Sequence, residues 1–160
     1  MLKIGDKAPD FATTTENGEK IKLSDYKGKK VFLYFYPKDN TSGCQAEACS
    51  IRDNFEVFEI SGIPVFGVSG GTAKSHQSFK DKNSLPFPLL MDEKFEIAKL
   101  YGVYKTKKMY GKEYLGIERT TFLIDGQGRI EGIFGGPEGI EKVNTQEHAS
   151  QVIKFWELKL

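Results

Sequence analysis

From Lys30 to Tyr36 the chain reads KVFLYFY, and after the lysine every side chain is β-branched, aliphatic or aromatic. A strand with one solvated face alternates apolar and polar residues; a run without alternation suits a strand covered on both faces. That requirement points to a sheet sandwiched between helical layers. Pro37 ends the strand, because proline brings no N–H to the ladder.

The flanking periodicities agree. FATTT and KIKL around Asn17 and Gly18 predict a short N-terminal hairpin. A helix is expected from about Ser42 to Ile60, stopped by Ser61 and Gly62. IPVFGVS reads as a second buried strand, residues 74–83 as a helix, and residues 89–91 as a short strand after Pro86 and Pro88. Residues 92–100 predict a helix capped by Asp92, with Phe95, Ile97, Ala98 and Leu100 apolar. Strands 120–124 and 129–134 are joined at Asp125-Gly126-Gln127-Gly128, a hairpin signal. Val152, Ile153, Phe155 and Trp156 belong to an amphipathic closing helix. Strands separated by helices, then a late hairpin and helix, imply an α/β fold with a mixed central sheet between helical layers. A thioredoxin-like fold meets that order.

With 160 residues and even composition, residues 1–160 are expected to form one domain. The formal net charge is +1 and the charges alternate, so no footprint for nucleic acid or anionic lipid is expected. No run suits a signal peptide or membrane span. The reading is therefore of a cytoplasmic protein in a reducing compartment. There, two cysteines five residues apart point to redox or metal chemistry before a permanent staple.

The chemistry lies in Y-F-Y-P-K-D-N-T-S-G-C-Q-A-E-A-C, residues 34–49. A buried strand meets a proline, a polar loop, and a helix whose first turn holds Cys44. Ser42 and Gln45 have capping-box spacing, which would make Ser42 the N-cap and put Cys44 at the second helical position. Unpaired N–H groups and the helix dipole favour an anion there. Thiols so placed can ionise at roughly pH 3.5–7.5 rather than about 8.5. Cys44 is thus the expected nucleophile. Cys49 lies beyond the first turn, where that advantage has faded, and on its own reads equally as a small buried hydrophobe. The spacing is not that of a C-x-x-C oxidoreductase, and no zinc ligand set is present; His76 and His148 are read as surface residues.

With these residues placed, the sequence resembles the peroxiredoxins, and within them the bacterioferritin-comigratory-protein/PrxQ subfamily. G-D-K-A-P-D-F at 5–11, L-S-D-Y-K-G-K-K-V at 23–31, L-P-F-P-L-L at 85–90 and R-T-T-F-L-I-D at 119–125 are similar to family blocks. The most specific element is P-x-x-x-T-x-x-C, filled by Pro37, Thr41 and Cys44. The resemblance implies that Cys44 is the peroxidatic residue, that Thr41 hydrogen-bonds peroxide and thiolate, that Pro37 shields the sulfur, and that Arg119 completes the pocket. It implies Cys49 as the resolving cysteine, forming an intramolecular disulfide with Cys44. Five residues of helix rise put those Cα atoms more than ~7.5 Å apart, beyond the ~4.4–6.8 Å of a disulfide, so joining them requires the helix to unwind. The family usually has proline where this chain has Ser42.

The implied reaction reduces hydrogen peroxide and organic hydroperoxides, without a cofactor or metal, with thioredoxin or a similar dithiol as reductant. A monomer is expected. Taken alone, Arg119 at a strand start reads as a surface charge, and the resemblance reverses that. Arg52 and Arg129 are left at the surface; Glu47 is read as helix-surface charge or as a partner of Arg119. Two other readings stay open. One is a thiol–disulfide oxidoreductase on the same fold, against which the four-residue gap and Thr41 argue. The other is a redox-sensing or metal-chaperone module.

Overall fold

The computed structural model describes residues 1–159. Its core is a five-stranded sheet in the order β5-β4-β3-β8-β9, formed by Val31–Phe35 (β3), Val65–Ser69 (β4), Leu89–Met91 (β5), Thr120–Ile124 (β8) and Ile130–Phe134 (β9). β3 runs parallel to β4 and antiparallel to β8; β4 and β5 are parallel, and β8 and β9 antiparallel. The sheet is therefore mixed, as the residue order predicts. β3 is central, and all five of its residues are buried.

Alternate β3 side chains feed two cores. Phe32 and Tyr34 join Cys44, Ala48, Ile51, Phe58, Phe79 and Val152. These bring Ser42–Asp53 (α1), Phe55–Ile60 (α2), Ala73–Asn83 (α3) and His148–Trp156 (α5) onto one face. Val31, Leu33 and Phe35 join Phe11, Leu23, Ile97, Ala98, Tyr101 and Ile117 on the other. That face is covered by the N-terminal segment and Glu96–Leu100 (α4). Burial of aromatic side chains at roughly 25 cal/mol per Å² is the main force holding both layers to the sheet. The hairpin of Ala12–Thr14 (β1) and Lys20–Lys22 (β2) forms where the turn residues place it.

Two local expectations are corrected, and one element is added. The long helix over 42–60 is two helices, because Asn54 leaves helical geometry at φ −118° and ψ 13°. Its side-chain amide donates to the Ser50 carbonyl at 2.8 Å, competing for a helical acceptor. Asp92 does cap α4, but from farther away: its oxygens accept the Ile97 and Ala98 N–H groups, each at 2.9 Å. The helix itself begins only at Glu96. A third hairpin, Tyr104–Met109 (β6) with Lys112–Ile117 (β7), has no counterpart among the sequence expectations. Its turn is Tyr110-Gly111, both at positive φ (53° and 77°), the geometry of a tight two-residue hairpin turn. Among the described residues no helix is long and apolar enough to cross a membrane.

Candidate active site

β3 delivers the chain to Pro37, and the loop to Thr41 turns it into α1. The N-cap is Thr41 rather than Ser42, with extended geometry (φ −86°, ψ 153°) and no side-chain cap bond. The expected capping box is therefore absent, and Cys44 sits at the third helical position. The Gln45 N–H bonds the Thr41 carbonyl at 2.8 Å. The N–H groups of Ser42, Gly43 and Cys44 precede that bond and point out of the helix start. An anion is favoured there by the same logic as at the expected position.

Arg119, immediately before β8, meets the Cys44 side chain. Its Nη2 donates to Cys44 Sγ at 3.3 Å and its Nη1 to Glu47 Oε1 at 2.7 Å. Burial works against the charge on this guanidinium, but Glu47 and Cys44 outweigh it and hold the arginine above its usual range. Glu47 is fully buried. Burial is the largest influence on its carboxyl and raises it above the ordinary carboxylate range, although His148 and Arg119 pull the other way. Two glycines make room for the arginine. A Cβ on Gly43 would sit 3.0 Å from Arg119 Nη2, and one on Gly135, at φ +81°, would collide with the Arg119 carbonyl oxygen.

Cys44 is only 1% exposed and belongs to the buried cluster with Tyr34, Tyr36 and Phe79. Its sulfur is nonetheless not in a purely apolar environment, since a charged donor faces it. Arg119 and Pro37 together line an open cleft of ≈ 380 Å³ with Lys107, Glu118, Lys142 and Val143. The Thr41 hydroxyl is exposed and donates to the Lys38 carbonyl at 3.2 Å, within its own loop. Cys49 lies on the same helix as Cys44, partly exposed, with Sγ 3.7 Å from Asn83 Oδ1 on α3. Both cysteines are free thiols.

Sequence comparison gives the arrangement its relatives. Residues 4–133 match the AhpC/TSA family. The chain is 45% identical over 153 residues to peroxiredoxin Bcp of Bacillus subtilis, covering 96% of this chain and 94% of the relative. The chain belongs to the peroxiredoxins. Peroxiredoxin Bcp of Escherichia coli is 41% identical over 154 residues, covering 96% and 95% of the two chains. A cysteine-to-serine variant of PrxQ from Xylella fastidiosa superposes with a TM-score of 0.88 at 34% identity, over 98% of this chain and 96% of that one. The bacterioferritin comigratory protein of Xanthomonas campestris, whose alkyl peroxide reduction has been followed through trapped intermediate and ligand complexes, superposes at 0.82 and 32% identity, over 92% and 90%. These neighbours give the peroxiredoxin its Bcp/PrxQ subfamily and its thioredoxin-like fold.

In this peroxiredoxin both histidines are fully buried, which corrects their reading as surface residues. His76 places Nδ1 2.7 Å from Asp39 Oδ2 and Nε2 3.1 Å from the Leu90 carbonyl. Asp39 also accepts from the hydroxyls of Tyr36 and Ser75, each at 2.7 Å. Burial pushes the Asp39 carboxyl up, but His76, Ser75 and Tyr36 together bring it below the ordinary range. The loop carrying Pro37 and Thr41 is thereby fastened to α3 and β5. His148 places Nε2 2.8 Å from Thr121 Oγ1 and Nδ1 2.7 Å from Gln151 Oε1.

Sequence reasoning also missed Lys107, a member of the unpredicted hairpin. Its ammonium donates to the Ile117 carbonyl at 2.8 Å. Partial burial, then Arg119, lower it from the usual lysine range. The available signal was Tyr110-Gly111, the one tight-turn pair inside a lysine-rich stretch. Arg52, left at the surface, is half-buried and donates to the Asn83 carbonyl at 2.8 Å. Arg129 is exposed, as expected.

Proposed function

We infer that this chain is a thiol-dependent peroxidase in which Cys44, as thiolate, attacks the terminal oxygen of a hydroperoxide. The observation that carries the reading is the Arg119–Cys44 contact at the first turn of a helix. It supplies a charged donor and free backbone N–H groups around one sulfur. The sulfur electron pair forms the S–O bond as O–O breaks, and the other oxygen leaves as hydroxide or alkoxide. Donors already aimed at the reacting atoms stabilise the charge developing along that axis. Arg119 serves as such a donor. Thr41 joins it once its hydroxyl turns from the Lys38 carbonyl, and Pro37 screens the sulfur from water. Because Cys44 is so little exposed, peroxide enters from the cleft beside Arg119 through a small local opening.

The product is a sulfenic acid, the first and reversible stage of cysteine oxidation. Cys49 condenses with it, releasing water and forming the intramolecular disulfide. Thioredoxin or a similar dithiol then restores both thiols by exchange. Hydrogen peroxide and organic hydroperoxides are the substrates, since alkyl substituents can extend into the open cleft. The proposal takes the chain as one domain, working as a monomer in the cytoplasm.

A peroxide-consumption assay run beside an insulin-reduction assay tests the reading against a disulfide oxidoreductase. Rapid peroxide loss with a thioredoxin system and no acceleration of insulin reduction are the expected results. The reverse pattern overturns the reading.

A further inference from the structure

His148 is a buried titratable side chain for which the reaction above has no task. It opens α5, and its ring stands edge-on to Phe32 and Phe134, with centroids 5.7 Å away in both cases. The orientation of its partner Gln151 is fixed by that residue's own bonds. The Gln151 amide nitrogen donates to Glu141 Oε1 and the Lys142 carbonyl, each at 2.9 Å. Its oxygen accepts the Asn144 N–H at 3.0 Å. That oxygen therefore needs an N–H from His148, and Nδ1 carries it. Only Nε2 is free to gain or lose a proton. Its neighbour Thr121 Oγ1 can accept or donate, so either state is satisfied.

The second neighbour of Nε2 is Glu47 Oε2, at 3.7 Å. This oxygen is buried and has no hydrogen-bond partner. The other oxygen of the same carboxylate takes Arg119, which also serves the Cys44 sulfur. With Cys44 ionised, two negative charges share one guanidinium in a region of low dielectric. One proton on Nε2 restores neutrality.

We propose that His148 is a positioning residue for peroxide reduction: the proton on its Nε2 neutralises Glu47 and so leaves the charge of Arg119 to the Cys44 thiolate. The ionisable group beside it is Glu47 from α1; beyond Glu47 lie Arg119 at the head of β8 and Cys44 on α1, with Tyr34 of β3 in the same buried cluster as Cys44. β9 contributes only the Phe134 ring, and α5 itself the uncharged Gln151. Tyr34 is held protonated, first by burial and then by Glu47 and Cys44. His148 transfers nothing in the chemical step. The peroxide O–H oxygen stays with sulfur, and the departing oxide takes its proton from water. The inference rests on Cys44 being the peroxidatic thiolate.

The test is His148→Gln, which can still bond Thr121 but holds no charge. The rate constant for Cys44 oxidation by hydrogen peroxide is measured from about pH 5 to pH 8, the range in which a histidine ordinarily titrates. The expected result is an acid limb displaced upward by about one pH unit, equivalent to a tenfold slower reaction on that limb. A limb at the wild-type pH, with the rate reduced alike at every pH, overturns the proposal. Nitrogen NMR of the His148 ring in the reduced wild-type protein is a second reading that needs no variant. Protons on both ring nitrogens at neutral pH support the proposal, and a bare Nε2 overturns it. If neither the wild-type protein nor the variant loses the Cys44 thiol to peroxide, it is the assignment of Cys44 that fails.

Discussion

Arg119 bonds Cys44 and Glu47 at once, through different nitrogens of one guanidinium, at 3.3 Å and 2.7 Å. One arginine thus links the Cys44 sulfur to a fully buried carboxylate three residues along the same helix. Replacing it with methionine keeps much of its apolar stem and removes both bonds. Loss of one preorganised donor costs on the order of 100–1000-fold in rate. Arg119→Met is expected to lose that much in the rate constant for oxidation by hydrogen peroxide, measured by rapid mixing, while its circular dichroism stays native.

Glu47→Gln separates stability from activity. Burial raises the Glu47 carboxyl above its ordinary range, with His148 and Arg119 offsetting only part of the effect. A carboxyl whose folded value is raised costs stability when ionised. That cost appears as pH rises from the unfolded carboxyl range, about 4.3, through the folded value. At neutral pH the glutamine variant is expected to melt no lower than wild type, and the difference vanishes below about pH 4. Its peroxide rate constant is expected to stay at or above the wild-type value, because the glutamine oxygen still accepts from Arg119 while no longer competing with Cys44 for its charge. Melting curves at the two pH values and single-turnover kinetics check both halves.

Asp39 has the opposite sign. Burial pushes its carboxyl up, but the His76 hydrogen bond and charge, with Ser75 and Tyr36, bring it below the ordinary value. A depressed carboxyl stabilises the fold above its unfolded pKa, about 3.9, and that contribution is lost as pH falls through the folded value. Asp39→Asn is expected to cost about 1–3 kcal/mol at neutral pH, the usual penalty for buried partners left unsatisfied. Denaturant titration near pH 7 and near pH 3 should show the gap between variant and wild type closing on the acid side.

Cys44 and Cys49 occupy one continuous helix in the reduced chain, Ser42–Asp53. Five residues of α-helix separate Cα atoms by more than ~7.5 Å along the axis, too far for a disulfide at ~4.4–6.8 Å. Oxidation is therefore expected to strip amide protection from residues 42–50, seen by hydrogen exchange, while β3 and β8 keep theirs. Cys49→Ser should retain the protection after peroxide treatment. Equal protection in both redox states of the wild-type chain contradicts the unwinding.

The sequence carried much of this in short-range form. KVFLYFY suits a strand covered on both faces, and Pro37, Thr41 and Cys44 lie within eight consecutive residues. What was hidden depends on partners distant in the chain. His76 and His148 looked like surface residues because Asp39, 37 positions away, and Thr121, 27 positions away, cannot be assigned to them from local pattern. Glu47 gave no sign of its burial, since its cover comes from α5 and the arginine before β8. The hairpin at residues 104–117 escaped notice because its mostly exposed strands lack a clear apolar alternation. The N-cap moved by one residue from Ser42 to Thr41, a shift that cap preferences alone do not resolve.

The most direct test of the account compares Cys44→Ser with Cys49→Ser in a peroxide titration that counts thiols and peroxide together. Cys44→Ser is expected to leave peroxide unconsumed and the Cys49 thiol intact. Cys49→Ser should consume a single equivalent and stop at a sulfenic acid that added thiols can trap. Peroxide consumption by Cys44→Ser at the wild-type rate would contradict the account.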